Sequence, residues 1–276
     1  MAKQRLDVRL VELGLVPSRE QAQKVIRAGW VQVNQQVTDK PGTDVAADAV
    51  ILVKERAPFV SRGGEKLAGA LADFGVNLKE RVCFDGGIST GGFTDCMLQQ
   101  GAVKVYGIDV GYGQVAWQIR SDPRVILRER TNLRHLSPTD LYGADDVMPD
   151  FAVMDLSFIS LTKVLPALFP LLQNPRETLL LVKPQFEAGK AQVGKNGIIR
   201  DAKVRASCVA NVLQCAIALG WQFRGMTPSP IQGRTGNHEY WLWLSCDLNR
   251  DSGTGNPMPP NLPPDLNDIL NMTSNH

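Results

Sequence analysis

Residues 82–100 read VCFDGGISTGGFTDCMLQQ, and this stretch decides the fold. An apolar run ends at Asp85, a glycine-rich loop follows, and a helical segment comes next. Further apolar runs lie at 105–110, 124–127, 151–155, 179–183 and 240–245, with helical stretches between most of them. Strands that alternate with helices indicate a mostly parallel sheet covered by helices on both faces. The predicted fold class is therefore α/β.

The apolar runs end in residues that can do chemistry. Four of them finish at Asp85, Asp109, Asp155 and Lys183. Open parallel sheets bind ligands beyond the carboxyl ends of their strands. We therefore expect the functional site at this edge of the sheet.

The glycine loop suggests a cofactor. Glycines let the backbone approach a ligand closely, and the start of the following helix offers free N–H groups. The spacing fits neither the dinucleotide fingerprint nor a Walker A loop. Asp85 suits a cationic ligand group, and Asp109 is placed to bind ribose hydroxyls. The pattern favours S-adenosylmethionine, with a dinucleotide and a purely structural turn as the alternatives.

The chain divides by composition. Residues 1–55 predict a small α+β unit of two short helices, the second opened by a Ser18–Gln21 capping box, followed by strands at 30–34 and 49–53. Residues 56–66 are predicted as a linker and 67–247 as the α/β domain. The proline-rich residues 248–276 are predicted to be disordered.

Basic side chains cluster in the first unit. Residues 1–30 contain six basic and three acidic side chains, a local charge of +3, although the whole chain carries only +2. Such a stripe suits phosphate contacts, which give affinity rather than sequence choice. An ordinary solvated face is the alternative. The candidate RNA-binding residues are Arg5, Arg9, Arg19, Lys24 and Arg27.

Composition also bounds the compartment. The 276 residues include five cysteines, an odd number without a C-x-x-C pair, which predicts reduced thiols in a cytoplasmic protein. Three histidines without ligand spacing predict no metal site. Neither a signal peptide nor an apolar run of membrane-spanning length is evident, so no membrane partner is expected.

Longer motifs carry a family resemblance. Residues 76–125, ERTNLRHL (129–136), MDLSFISL (154–161), LVKPQFEAG (181–189) and VGKNGIIRD (193–201) resemble the TlyA, or haemolysin A-like, family. The likeness extends from residue 1 to about 247. One departure is Gly86 and Ile88, where the family favours Ile and Ala. The stretch from Ser89 to Asp95 keeps the family pattern.

The resemblance implies a fold and an activity. It implies a Rossmann-like methyltransferase domain with a mostly parallel seven-stranded sheet, preceded by an S4-type RNA-binding domain. It implies S-adenosylmethionine-dependent 2′-O-methylation of cytidine ribose in 16S or 23S ribosomal RNA, or both, so ribosomal subunits are the expected partners. The oligomeric state stays open.

Site residues follow from the same resemblance. Its FtsJ-type tetrad matches Lys66, Asp155, Lys183 and Glu239. We assign Lys183 as the base for the hydroxyl, oriented by Asp155, with Lys66 assisting and anchored by Glu239. A free lysine is protonated at neutral pH, so a lysine base needs nearby positive charge that favours its neutral form.

Further residues are carried over with less specific motifs. Asn132 is assigned to the adenine, although a loop asparagine is also a common turn former. Arg62 is expected near Lys66, where bound RNA would reach the catalytic domain. The cofactor-binding candidates are Asp85, Gly87, Ser89, Gly91, Gly92, Phe93, Asp109 and Asn132.

Other functions leave different sequence marks. Exocyclic-amine methylation favours two prolines after the position of Asp155, and carbon-5 methylation needs a Pro-Cys pair; the chain has neither. A membrane-active haemolysin would need an apolar or strongly amphipathic segment. A non-catalytic RNA-binding protein would not need the complete tetrad. The sequence thus favours a ribose methyltransferase over these four alternatives.

Overall fold

The computed structural model describes residues 3–54, 57–233, 235–246 and 264–274. The chain divides into two compact units, with the boundary between Pro58 and Phe59.

The first unit is α+β, as predicted. Its elements are β1 (Lys3–Arg5), α1 (Leu6–Glu12), α2 (Arg19–Arg27), β2 (Val31–Val33), β3 (Gln36–Val37), β4 (Asp44–Ala46) and β5 (Ile51–Val53). Strand β1 pairs with β4, and β2 lies between β3 and β5, all antiparallel. The Ser18 side chain accepts a hydrogen bond from the backbone N–H of Gln21 (3.2 Å), which confirms the predicted cap of α2. Buried Leu6, Leu10 and Ile26 centre its core.

The second unit is the predicted α/β domain. Its first elements are α3 (Gly63–Phe74), β6 (Val82–Gly86), α4 (Gly92–Gln99), β7 (Lys104–Ile108), α5 (Trp117–Arg120), β8 (Val125–Arg128), α6 (Pro138–Leu141) and β9 (Phe151–Met154). They are followed by α7 (Leu165–Leu168), β10 (Arg176–Val182), α8 (Pro184–Glu187), α9 (Ala202–Ala218), β11 (Gln222–Pro228), β12 (Tyr240–Cys246) and α10 (Leu266–Ser274).

The described part of this unit contains a seven-stranded sheet in the order β11-β12-β10-β9-β6-β7-β8. Strands β8, β7, β6, β9 and β10 are parallel, and β12 runs antiparallel to both of its neighbours. The chain leaves β6 in one direction to build β7 and β8, then returns to build β9 and β10 on the other side. The carboxyl ends of β6 and β9 therefore flank a topological switch point, the usual ligand-binding position in such sheets.

Alternating side chains fill a core on each face of the sheet. Phe84 and Tyr106 belong to one core, which also contains residues of α9, and Cys83 and Trp241 belong to the other, which contains residues of α3 and α4. Helices cover both faces, so the parallel strands read as continuous apolar runs rather than as alternating ones. Burial on both faces explains why the parallel strands were evident as apolar runs in the sequence.

The linker prediction for residues 56–66 was partly wrong. Phe59 begins the second unit, and Gly63 begins α3. The segment is fixed by packing: a Cβ on Gly64 would lie 2.2 Å from the Phe59 side chain, and the N–H of Val60 donates to Asp95 Oδ2 (2.8 Å). Charge and glycine content suggested a linker, but tertiary contacts make this stretch part of the domain.

The disorder prediction for residues 248–276 was also partly wrong. Helix α10 packs beside α9 with Ile269 buried, and Arg205 donates to the carbonyl of Thr273 (2.8 Å). Leu266, Ile269, Leu270 and Thr273 have the spacing of one helix face, a signal that the proline-rich composition obscured. Residues 248–263 lie outside the described residues.

Candidate active site

A cavity of about 430 Å³ opens at the switch point. Loops after four neighbouring strands contribute to its wall: Gly87 and Ser89 after β6, Asp109 after β7, Asn132 after β8, and Asp155 after β9. This volume lies within the usual range for small-molecule sites, about 300–1,000 Å³. The predicted location of the site is thus the place where the structure forms a cavity.

Gly87 lets two of these loops touch. Its φ is +89°, and a Cβ there would lie 2.6 Å from the carbonyl oxygen of Asp155. Any other residue would push the loop after β6 away from the loop after β9. Because Gly87 has no Cβ, the loops after β6 and β9 can lie this close together at the cavity.

Asp109 is held in place by backbone donors. Its Oδ2 accepts from the N–H of Ser89 (2.8 Å), and its Oδ1 accepts from the N–H of Gly111 (2.7 Å). A carboxylate offers about four acceptor sites. The two backbone N–H groups therefore fix the orientation of the Asp109 carboxylate, and its remaining acceptor sites can bind the hydroxyls of a ribose.

Asp85 lies beneath the loop rather than in the cavity wall. It is fully buried; Oδ2 accepts from the Thr94 hydroxyl (2.6 Å), and Oδ1 has no hydrogen-bond partner among the described residues. Burial raises the pKa of Asp85 to about 7, and the nearby carboxylates of Asp155 and Asp109 add to this rise. A cationic ligand group is the natural complement of such a carboxyl.

Three predicted cofactor residues have packing contacts instead of a place in the cavity wall. Gly91 is the left-handed cap of α4 (φ +94°), and a Cβ on Gly92 would lie 2.2 Å from Ser61 Oγ. The buried Phe93 ring packs against Trp241, with 5.5 Å between ring centroids. The motif predicts one continuous binding loop, whereas its second half packs against the start of α3, against α5 and against β12.

Asn132 has the turn-forming role that was left open, and it also faces the cavity. Its side-chain oxygen accepts from the N–H of Arg134 (3.1 Å) at the start of a short 3₁₀ turn. Neighbouring Thr131 and Leu133 line the same wall, as does Gln114. No sequence pattern indicated these lining residues, because short loops carry no periodic signal.

The predicted tetrad forms two ion pairs. Lys183 pairs with Asp155 and also donates to the Ser157 hydroxyl (3.2 Å). Lys66 of α3 pairs with Glu239 at 2.6 Å, and the Glu239 side chain is only 3% exposed. Ser157 was missed, although it lies two residues after Asp155 in the quoted motif.

Sheet register brings the two pairs to the same edge. Val182, the last residue of β10, is paired with Tyr240, the first residue of β12, so Lys183 and Glu239 each lie one residue beyond that pair. Neighbouring strands are about 5 Å apart. Lys183 and Glu239 therefore lie at the same end of β10. Successive members of the tetrad are 89, 28 and 56 positions apart in the sequence, and the fold brings them to one end of the sheet.

Most basic candidates of the first unit have partners within that unit. Arg5 and Arg19 both bind the fully buried Asp7 (3.0 and 2.9 Å), and their hydrogen bonds hold its pKa well below the usual range. Arg9 pairs with Glu12, and Lys24 with Glu20. Arg27 is exposed, as is Arg62 in the second unit. The arginines around Asp7 therefore have a structural contact that charge counting did not reveal.

The site fits S-adenosylmethionine. A ribose can be held by Asp109, which lines the cavity. The buried carboxyl of Asp85 lies outside the cavity wall and acts on a ligand only through its charge, which favours a positively charged end and disfavours the pyrophosphate of a dinucleotide. The fold and the site together define an S-adenosylmethionine-dependent methyltransferase.

Comparison with known proteins agrees with this class. Residues 59–246 match the FtsJ-like methyltransferase family, and residues 4–51 match the S4 domain. The chain belongs to the FtsJ-like methyltransferases, within the TlyA group that carries an N-terminal S4 domain. Its cofactor is S-adenosylmethionine.

Individual relatives span nearly the whole chain. The 16S/23S rRNA (cytidine-2′-O)-methyltransferase TlyA of Mycobacterium tuberculosis is 47% identical over 89% of this chain and 91% of its own length. Hemolysin A of Brachyspira hyodysenteriae is 41% identical over 86% and 97%. A solved chain of Streptococcus thermophilus that carries a hemolysin name is 39% identical, with a TM-score of 0.70, and covers 100% of this chain and 96% of that one.

The haemolysin name raises the question of a membrane segment. Among the described residues, no helix has the length and apolar character needed to span a bilayer.

Proposed function

We propose that this protein transfers a methyl group from S-adenosylmethionine to the 2′-hydroxyl of a cytidine in 16S ribosomal RNA, 23S ribosomal RNA or both. The observation that carries the proposal is the Lys183–Asp155 ion pair beside the cavity, with the Lys66–Glu239 pair at the same end of β10. The names of the M. tuberculosis and other TlyA relatives support the choice of cytidine and ribosomal RNA. A ribosomal substrate implies a cytoplasmic enzyme.

The bound cofactor supplies a methyl group on a positively charged sulfur, ready for attack by an oxygen nucleophile. A ribose hydroxyl is a weak acid, so its attack needs a base and a fixed orientation. Lys183 in its neutral form would accept the hydroxyl proton at Nζ while the hydroxyl oxygen takes the methyl carbon, whose bond to sulfur breaks and leaves a neutral thioether. Asp155 then stabilises the ammonium that results, and Ser157 holds it by a second contact.

The second ion pair holds Lys66 at the same end of β10 as this base. Glu239 fixes Lys66 by a short contact inside the protein, where few alternative positions are open to it. Lys66 is also a donor that can hold the substrate ribose.

The S4 domain is the proposed RNA-anchoring unit. Arg27 is exposed, and Arg9 keeps a partly exposed guanidinium beside its contact with the carbonyl of Ala47. Replacing Arg9 and Arg27 with alanine should weaken binding to ribosomal subunits and reduce its salt dependence, while cofactor affinity stays constant. Unchanged binding of subunits would contradict this assignment.

The catalytic proposal is tested with labelled cofactor and purified ribosomal subunits. Lys183→Ala should abolish methyl transfer while calorimetry still detects cofactor binding. Lys163→Ala is the matched control, since Lys163 is exposed in the same unit. The position of the methyl is read by alkaline cleavage of the RNA, because a 2′-O-methyl group protects the adjacent phosphodiester. Full activity in Lys183→Ala, or a methyl on a base, would overturn the proposal.

A further inference from the structure

The loop after β9 needs an external support. Residues 155–161 supply Asp155 and Ser157 to Lys183, and Leu156 through Ile159 line the cofactor cavity. Within this loop Phe158 has a φ of +65° and is 91% exposed. A positive φ is unfavourable for a bulky residue, so the loop conformation persists only if the surrounding structure fixes it.

Glu187 supplies that support. It is the last residue of α8, four positions after Lys183. Its Oε2 accepts from the Ser160 hydroxyl (2.5 Å), and its Oε1 accepts from the N–H of Leu161 (2.8 Å). Both carboxylate oxygens are therefore engaged by the end of the loop that begins at Asp155.

The nature of the contact indicates a specific role. Among the described residues, no basic side chain forms an ion pair with Glu187, and partial burial raises the pKa of its carboxyl. A buried carboxylate without a cation is costly unless hydrogen bonds replace its water. Here the two hydrogen bonds join the segment that carries Asp155 to the segment that carries Lys183.

We propose that Glu187 is a positioning residue for the methyl transfer, fixing the loop after β9 against α8 so that Asp155 and Ser157 remain at Lys183 Nζ. This inference rests on the proposed function of the Lys183–Asp155 pair. Glu187 acts through the loop and is not assigned a contact with the substrate.

The test compares Glu187→Ala with a control of the same chemistry elsewhere in the unit. Asp140 also accepts from a serine hydroxyl and a backbone N–H, both of Ser137 (2.5 and 2.9 Å). Each alanine variant loses one hydrogen bond from a serine hydroxyl and one from a backbone N–H, so both melting temperatures should fall, that of Glu187→Ala further because its bonds are part-buried. Only Glu187→Ala should lose kcat, by about tenfold or more, since small misplacement of reacting groups has effects up to about 10²-fold.

Conservative variants separate positioning from stability. Glu187→Gln keeps an acceptor for Leu161 and a polar partner for Ser160, so kcat should recover to within about threefold of wild type, as expected for a retained geometry. Ser160→Ala removes one bond of the two and should give an intermediate kcat; this variant also serves if Glu187→Ala does not fold. The KM for the cofactor should change less than kcat in each.

A second readout does not depend on the RNA substrate. Acetylation of amines by an N-hydroxysuccinimide ester, followed by mass spectrometry, reports the reactivity of Lys183 directly. Loss of the Asp155 contact should accelerate labelling of Lys183 in Glu187→Ala but not in Asp140→Ala. If labelling and kcat in the Glu187 and Ser160 variants match those of Asp140→Ala, the positioning role is wrong. If wild type labels as expected but methylates no RNA, the proposed function fails and the role of Glu187 in methyl transfer fails with it. Faster labelling of Lys183 in Glu187→Ala would then still show that Glu187 holds Asp155 at Lys183.

Discussion

The Lys66–Glu239 pair offers the sharpest test of the site geometry. Lys66→Met removes the ammonium but keeps most of the side-chain volume. It leaves the Glu239 carboxylate 3% exposed and without the partner that lies 2.6 Å away. Removing one member of a buried ion pair typically costs about 3–5 kcal/mol.

This loss should be visible as a shift in melting temperature. For a domain of this size about 1 kcal/mol corresponds to roughly 2–4 °C, so Lys66→Met should melt about 6–20 °C below wild type. Lys104→Met is the control: its ion pair with Asp146 is longer (3.4 Å) and about one third exposed, and such pairs contribute less than about 1 kcal/mol.

The double variant Lys66→Met/Glu239→Gln decides the interpretation. It removes both charges, so its loss of unfolding free energy should be smaller than the sum of the single losses by about 1–3 kcal/mol. Urea unfolding of all four proteins measures this coupling. Single losses that add to within about 0.5 kcal/mol would refute the pair. All three variants should lose methyl transfer, because the lysine is absent or unanchored.

Three further predictions follow from buried or strained positions. The pKa of Asp85 is raised to about 7 from its ordinary 3.8. Ligand-free wild type should therefore lose stability relative to Asp85→Asn as pH rises from about 4 to 7. Melting temperatures of the two proteins that change in parallel over this pH range would contradict the raised pKa. The opposite sign holds for Asp7, whose pKa is lowered by Arg5 and Arg19, so Asp7→Asn should destabilise the first unit at pH 7. The difference in stability between this variant and wild type, measured by circular dichroism, should shrink as pH falls below 3.8. A difference in stability that does not change with pH would exclude the ion pairs of Asp7 with Arg5 and Arg19. Gly87→Ala should abolish cofactor binding in calorimetry, because its Cβ would lie 2.6 Å from a backbone oxygen. Gly113→Ala shares a positive φ but has no atom within 4 Å of the new Cβ, so it should still bind; equal affinities for the two would disprove the steric argument.

Local pattern was sufficient for six of the seven strands of the sheet and for one side of the site. The apolar runs ending at Asp85, Asp109 and Asp155 predicted β6, β7 and β9, and the glycine loop predicted where the cavity opens. Strand β11 and helix α10 were missed. Helix α10 shows its face only through four spaced residues within a polar, proline-rich tail.

Composition was misleading where a contact distant in sequence sets the role of a residue. Residues 63–66 look like linker but form the first turn of α3. Arg5 and Arg19 look like a free basic face, yet both bind Asp7, which is buried only because the unit folds around it. Phe93 looks like part of a cofactor loop, yet it packs on Trp241, almost 150 residues away in the sequence.

The sequence by itself determined the α/β class, the position of the ligand edge and, through family resemblance, the identity of the four charged residues. Hydrophobic periodicity and glycine spacing are local properties, so they can be read along the chain. Only the tertiary structure decided that Lys183 meets Asp155 and Ser157, that Lys66 meets Glu239, and that both pairs share one edge. Strand register and helix packing create those contacts between distant segments, and no local pattern encodes them.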